Sequence, residues 1–298
     1  MTCAVFAFPE CDEQAGSLAE ELSVDCHPVL VHRFPDGESL VRVPEATETA
    51  LLYRSLDQPN EKIFELLLAA SALRAGGCRQ LVLVVPYLAY MRQDRAFHPG
   101  EAVSQRLLGE IMAAHCDALI TVDPHLHRIK SLRQIMPGVE TASISAGPAL
   151  SAALNGTDAD LLVGPDRESR QWVEAIAQSV GLPFLVGEKQ RQSDRSVEVA
   201  IPDLEVAVGR HVVLIDDLIS SGTTLKAAAR LLRDAGARFV SVMATHCLAS
   251  EADLQGLRGA GVASVRSTDS VAGPTATIEI AGVLAEGIRR HGWCTAER

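Results

Sequence analysis

Aromatic side chains are scarce, at 4% of 298 residues. Val, Leu, Ile and Ala therefore have to fill the interior. No apolar run approaches the roughly 18 residues that a membrane-spanning helix needs, so no membrane partner is expected. The cysteines Cys3, Cys11, Cys26, Cys78, Cys116, Cys247 and Cys294 are an odd set without a C-x-x-C pair, which indicates neither a disulfide framework nor a zinc cage. Net charge is −11 and no block of Lys and Arg forms a stripe, so a nucleic-acid partner is not expected. An anionic metabolite still binds wherever a few cations converge. No lysine stands where a Walker A loop requires it, and no G-x-G-x-x-G opens a first βα unit. The opening MTCAVFAFPE reaches acidic residues after a short apolar run and reads as a first strand rather than a leader.

What is present is alternation. Short Val/Leu/Ile runs at 2–8, 28–32, 50–54, 81–85 and 118–122 are separated by polar or helical stretches, with helices over 61–75 and 102–116. The small and turn-forming residues of 136–160 mark a boundary region, after which strands are expected at 159–163, 183–186, 195–200, 211–215, 239–244 and 262–265. Helices are expected at 167–180 and 223–235. This pattern predicts an α/β fold of two similar domains, each with a mostly parallel central sheet flanked by helices. The expected domains are 1–145 and 146–280, with a C-terminal helix and tail over 281–298 that can fold back onto either domain, the N-terminal one included.

The most informative stretch is VVLIDDLISSGTTLKAAARLL. An apolar strand ends at Asp216 and Asp217, and Ser220, Ser221, Gly222, Thr223 and Thr224 lead into a helix. Loops at strand carboxyl ends are where open α/β sheets bind ligands. Backbone N–H groups at a helix start, with neighbouring hydroxyls, cradle a phosphate. The aspartates suit sugar hydroxyls or a magnesium ion, so phosphate and diol together describe a sugar phosphate. An ordinary strand, turn and helix cap is the competing account of the same residues.

Further polar clusters follow other strands. HRFPDGESLVRVPE holds Phe34, Asp36 and Glu38, and VVPYLAYMRQDRAF holds Arg92, Gln93, Asp94 and Arg95. Paired arginines suit a polyphosphate and Phe34 suits a base. A salt-bridged surface turn explains either segment equally well. ALITVDPHLHRIKSL contains His125 and His127, which are either ligands or hydrogen-bonding loop residues. LLVGPDRESRQWV carries Asp166, and VGEKQRQSDRSVEV carries Lys189, Arg191 and Arg195. SLDQPNEK offers a weak anion-binding turn at Asp57, Gln58 and Asn60.

Val213 to Thr224 resembles the signature shared by type I phosphoribosyltransferases and phosphoribosyl pyrophosphate synthetases. The F-x-D-G-E turn and the Tyr90-x-Arg92-Gln93-Asp94-Arg95 segment resemble the synthetases, or ribose-phosphate pyrophosphokinases, alone, and the likeness runs from about residue 30 to 291. It implies two phosphoribosyltransferase-like domains. It also implies transfer of the β,γ-diphosphoryl group of ATP to the 1-hydroxyl of ribose 5-phosphate, releasing AMP.

By that resemblance Phe34, Asp36, Glu38, Arg92, Gln93, Asp94 and Arg95 contact ATP, and Asp216, Asp217 and Ser220 through Thr224 hold ribose 5-phosphate. Lys189, Arg191 and Arg95 stabilise the transferring group, and His125 and Asp166 hold Mg2+. The protein is then a cytoplasmic homo-oligomer with its ATP site at a subunit interface. Departures are Arg167, Glu168 and Ser169 in place of a glycine-bearing motif, Glu188 for Asp, Ser220-Ser221 for Asp-Thr, and Pro124. They keep a non-catalytic regulatory homologue as an alternative, beside a type I phosphoribosyltransferase.

Overall fold

The computed structural model describes residues 2–126, 128–193 and 196–294, apart from the side chains of residues 189–198. It forms two compact units, Met1–Ser145 with Ile280–Arg298, and Ala146–Glu279.

In the first unit the strands β1 (Cys3–Ala7), β2 (Asp25–Pro28), β5 (Thr49–Tyr53), β6 (Gln80–Val84), β7 (Ala118–Val122) and β8 (Glu140–Ile144) form a six-stranded sheet. Its order is β2-β1-β5-β6-β7-β8 and every pairing is parallel. All five residues of β5 and of β7 are buried, as expected of a sheet covered on both faces. Helices α1 (Asp12–Leu22), α2 (Pro59–Ala75) and α3 (Ser104–Ala113) join the strands. The hairpin of β3 (Leu30–Arg33) and β4 (Ser39–Arg42) stands outside the sheet. α1 buries Ala15, Leu18, Ala19 and Leu22, a stripe at helical spacing.

The second unit repeats the plan. α4 (Gly147–Leu154), β9 (Leu161–Gly164), α5 (Arg170–Val180) and β10 (Phe184–Val186) are followed by an antiparallel hairpin of β11 (Glu188–Ser193) and β12 (Ser196–Ala200). Then come β13 (His211–Ile219), α6 (Thr223–Asp234), β14 (Phe239–Cys247), α7 (Glu251–Gly259), β15 (Val262–Thr268) and β16 (Ala276–Ile278). The sheet order is β10-β9-β13-β14-β15-β16, again parallel. α6 buries Leu225, Ala228, Ala229 and Leu232, and α7 starts with a reciprocal Ser250–Asp253 capping box.

The last helix, α8 (Ala281–Arg290), belongs to the first unit, where it meets α1, β7 and β8. Gly287 lets it approach closely: an added Cβ would stand 2.8 Å from Ile120 Cδ1 and 3.0 Å from Ile144 Cγ2. Just beyond it, Trp293 Nε1 donates to Glu140 Oε2 at 2.7 Å.

Three expectations change. The run 136–160 contains β8 and α4, because Ala142, Leu150 and Leu154 give even this small-residue stretch buried positions. β13 continues to Ile219 because it keeps pairing with β14 through Leu218–His246 and Ile219–Cys247, so Asp216 and Asp217 lie within the strand rather than beyond its end. Cys3 and Cys294 form a disulfide across 291 residues of sequence. Spacing rules miss such a bond, because only the return of the chain after α8 to the start of β1 brings the two thiols together.

Candidate active site

In the second unit the chain leaves β9 toward β10 on one side and later returns as β13 on the other. Such a reversal opens a crevice at the carboxyl ends of the strands. Asp166 follows β9 there, and Asp216 and Asp217 lie within the last residues of β13. The β9–β13 ladder pairs as far as Leu214↔Val163, and just past it Asp166 and Asp217 lie close enough to Asp216 for their charges to act on it. Asp166 and Asp217 are buried and Asp216 is half-buried. Burial, followed by the charges of Asp217 and Asp166, raises the Asp216 carboxyl well above the usual carboxylate range. The crevice thus holds more negative charge than it can easily keep ionised, and a cation or hydroxyl donors would relieve it.

The Asp166 loop folds on itself. Its Oδ1 accepts from the N–H groups of Glu168 at 3.0 Å and Ser169 at 3.2 Å, while Ser169 Oγ donates to the Asp166 carbonyl at 2.6 Å. Ser169 is fully buried beneath the loop, against Gly164. Its side chain therefore points into the protein and not into ligand space.

After β13, Ser220, Ser221 and Thr223 are exposed and Thr224 is half-buried. Gly222 takes a left-handed φ of 67° and caps α6, a conformation that favours glycine. An added Cβ there would also touch Leu257 at 3.4 Å. Ser221 Oγ lies 3.0 Å from Thr223 Oγ1, and Lys226 Nζ donates to the Ser221 carbonyl at 2.7 Å. The loop joins hydroxyls to the N–H groups that any helix start leaves without intrahelical partners.

The β11–β12 hairpin rises beside this crevice. Gly187, just before it, donates to the Gly164 carbonyl at 2.8 Å and packs so tightly that an added Cβ would lie 2.6 Å from the Pro165 oxygen. Lys189 and Arg191 fall in β11, but their side chains lie outside the described ones, as do Arg195 and His127 altogether. Glu188 Oε1 pairs with Arg167 Nη2 at 2.7 Å. Two departures from the family pattern are therefore partners of each other.

In the first unit the loops after three adjacent strands each carry a non-glycine residue at positive φ. They are Gln58 after β5 (51°), Tyr90 after β6 (63°) and Asp123 after β7 (34°). Backbone held in that region concentrates at binding sites. The Tyr90 hydroxyl donates to Asn60, and Lys62 Nζ pairs with Asp57 at 2.7 Å, which ties the 55–60 turn to its neighbours. Arg92 and Arg95 are exposed, and the Arg95 guanidinium lies 4.6 Å from the Phe97 ring centroid. Gln93 accepts from Ser104 Oγ at 2.6 Å. The Asp94 carboxylate is buried, with Arg128 Nε 3.4 Å from its Oδ2, so Asp94 links this segment to the loop that carries half-buried His125.

Across the hairpin turn, Phe34 N donates to the Glu38 carbonyl at 2.7 Å, and Glu38 N donates to Asp36 Oδ1 at 3.1 Å. Phe34, Asp36 and Glu38 are all exposed. Sequence reasoning missed the anchoring of this turn, made by Arg33, Ser39, Arg54 and Glu65. Its only local signals are an arginine directly after the apolar strand TALLY and a glutamate inside the apolar run IFELLL.

Among the described residues no group of three or more His, Cys, Asp or Glu has the geometry to hold a metal ion, and no helix is long and apolar enough to cross a membrane.

Comparisons with known proteins agree over nearly the whole chain. Residues 3–115 match the family model for the N-terminal domain of ribose phosphate pyrophosphokinase, and residues 141–277 match the phosphoribosyl transferase domain. A ribose-phosphate pyrophosphokinase of Methanopyrus kandleri is 37% identical over 91% of this chain and 93% of its own. That of Thermococcus kodakarensis is 35% identical over 90% of this chain and 93% of its own. The crystal structure of phosphoribosylpyrophosphate synthetase from Mycobacterium smegmatis superposes with a TM-score of 0.82 at 26% identity, covering 98% of this chain and 99% of that one.

Proposed function

Because the chain belongs to the ribose-phosphate pyrophosphokinase family, we propose that it is a magnesium-dependent enzyme moving the β,γ-diphosphoryl group of ATP to the 1-hydroxyl of ribose 5-phosphate. AMP leaves, and phosphoribosyl pyrophosphate forms. The observation that carries this reading is the second-unit crevice, where Asp166, Asp216 and Asp217 flank the strand reversal beside the Ser220–Thr224 loop.

In this assignment the hydroxyls and amides of Ser220 through Thr224 hold the 5-phosphate, with Gly222 keeping the backbone close. Asp216 and Asp217 accept from the ribose hydroxyls and orient the anomeric carbon.

The hard oxygen donors of this crevice suit magnesium. Asp166, with Asp216 and Asp217 through waters, would hold it from this unit, and His125 is assigned as a further ligand by family resemblance. When bound, the ion neutralises charge on the phosphoryl oxygens. ATP is assigned to Phe34, Asp36, Glu38, Arg92, Gln93, Asp94 and Arg95. Phe34 stacks on the base and the exposed arginines meet the polyphosphate, while buried Asp94 acts by holding its segment in place. Lys189, Arg191 and Arg95 stabilise the transferring group as attack occurs at the β-phosphorus. By family resemblance the exposed hairpin turn is assigned to an ATP site completed by a second copy of the chain, and a cytoplasmic location fits this metabolic role.

A phosphorus NMR time course with magnesium, ATP and ribose 5-phosphate tests the reaction. Matched growth of AMP and a sugar-linked diphosphate signal is expected. Absence of both from folded protein that still binds ATP would overturn it, and AMP growth that vanishes with chelator checks the metal requirement.

A further inference from the structure

One carboxylate grips both feet of the β3–β4 hairpin. Arg33 and Ser39 form the last paired residues of the ladder before its turn. Glu65 Oε1 accepts from Arg33 Nε at 2.8 Å and from Ser39 Oγ at 2.9 Å, and Oε2 accepts from Arg33 Nη2 at 3.3 Å. From the opposite side Arg54 Nη2 donates to Oε2 at 2.6 Å. Glu65 and Arg54 are 2% and 1% exposed, so this is an interior carboxylate reaching out to a surface hairpin. Arg54 has partners of its own in Glu10, at 2.8 Å, and the Lys62 carbonyl, at 2.9 Å, and its guanidinium lies 3.7 Å from the Phe8 ring centroid. It is a fixed post, and Glu65 is the link between that post and the hairpin.

The turn needs such a link because little else beneath it is packed. A groove of about 630 Å³ lies between turn and helix, lined by Phe34, Pro35, Gly37 and Glu38 on one side and Phe64 and Leu68 on the other. Gly37, at a φ of 93°, adds no side chain to fill it. A turn standing over open space is oriented by what holds its ends. Held charge-assisted hydrogen bonds at both ends remove freedom that a ligand would otherwise have to freeze on binding.

We propose that Glu65 is a positioning residue for ATP: by clamping Arg33 and Ser39 it presets the turn bearing Phe34, Asp36 and Glu38. This rests on the assignment of that turn to ATP. Glu65 touches no substrate; it acts through the hairpin, so its loss appears in nucleotide affinity more than in chemistry.

The test uses the full-length protein and cuts the clamp from its exposed side, leaving the buried Arg54–Glu65 pair intact. In the double variant Arg33→Met/Ser39→Ala, KM for ATP is expected to rise about tenfold, with kcat and KM for ribose 5-phosphate within about twofold of the parent. Amide exchange over residues 34–38 without nucleotide should be faster. Ser39→Thr, which keeps the hydroxyl, should match the parent, whereas a purely structural defect would not depend on that hydroxyl. Phe34→Ala separates this idea from the one beneath it. If Phe34→Ala raises KM for ATP and the double variant does not, the clamp is refuted while the ATP assignment stands. If Phe34→Ala leaves KM for ATP unchanged, the ATP assignment fails and takes the proposed role with it, even where exchange shows the turn loosened.

Discussion

The two units place the same parallel sheet reversal under different chemistry. In the second unit the crevice between β9 and β13 is lined by carboxylates and opens beside exposed hydroxyls. In the first unit the equivalent reversal lies between β1 and β5, and it is filled. Arg54, directly after β5, pairs there with Glu10, which follows β1, and with Glu65, and lies over Phe8. A buried arginine satisfied on all sides leaves no room for a sugar phosphate. The first unit instead offers the loops after β6 and β7, with their positive-φ Tyr90 and Asp123, and the β3–β4 turn. Shared architecture therefore fixes where a crevice forms, and the charges at the strand ends decide whether it binds a ligand or becomes core.

The sharpest way to break this contrast is to empty the plug. Arg54→Met should cost about 3–5 kcal/mol of unfolding free energy, because it leaves Glu65 buried without its interior partner. Urea denaturation measures it, and a loss below 1 kcal/mol would mean that the first-unit crevice is not held by this charge network.

In the open crevice the expected sign is opposite. Asp216→Asn should lower kcat/KM about 10²–10³-fold if the carboxylate orients substrate in the reaction, yet it should not destabilise the ligand-free protein, since it removes a repelled charge. The raised Asp216 carboxyl means that the folded state holds this proton to higher pH than the unfolded chain. Its charge therefore costs stability increasingly as pH rises through the folded value. Thermal melts of parent and variant across pH should converge at low pH and separate toward neutrality, the variant being the more stable there.

The filled crevice titrates the other way. Burial pushes the Glu65 carboxyl up, but hydrogen bonds from Arg33, Arg54 and Ser39 outweigh it and hold the group at about 2, below its ordinary 4.5. Its stabilisation is complete above pH 4.5 and is lost as pH falls from there through 2, on the order of 3 kcal/mol in all. Acid titration of stability in the parent and in Glu65→Gln checks that window. Should the two slopes coincide between pH 2 and 4.5, the clamp is not ionic.

The smallest effect belongs to the exposed Arg167–Glu188 pair, whose side chains are 74% and 47% exposed. A double-mutant cycle should give less than about 1 kcal/mol of coupling in stability. A larger coupling in kcat than in stability would identify the pair as a latch between the Asp166 loop and the hairpin bearing Lys189 and Arg191.

Much of the second-unit site was legible because its parts are contiguous. The apolar run from Val212, two aspartates, hydroxyls, Gly222 and an amphipathic helix follow one another within a single βα turn, so the chain itself sets their distances. The α/β class was legible for a similar reason, since each buried strand is a short apolar run. The length of β13 was not, because Asp216 and Asp217 look like a strand end until pairing with β14 carries the ladder past them. Ser169 stands in place of a glycine-bearing motif, and only the folded loop turns its hydroxyl back to the Asp166 carbonyl.

What the sequence by itself determined is therefore local: strand and helix alternation, the hydroxyl-bearing loop that leads into α6, and the order of motifs that carries the family likeness. Only tertiary structure decided which charges are buried, which are paired and which crevice stays open. Arg33, Ser39, Arg54 and Glu65 converge from the two strands of the hairpin, the start of the loop after β5 and a helix, and Cys3 meets Cys294 across nearly the full length of the chain. Such partners cannot be read from spacing, because the energy of a buried charge or a cross-link depends on neighbours that only the completed fold brings within a few ångströms.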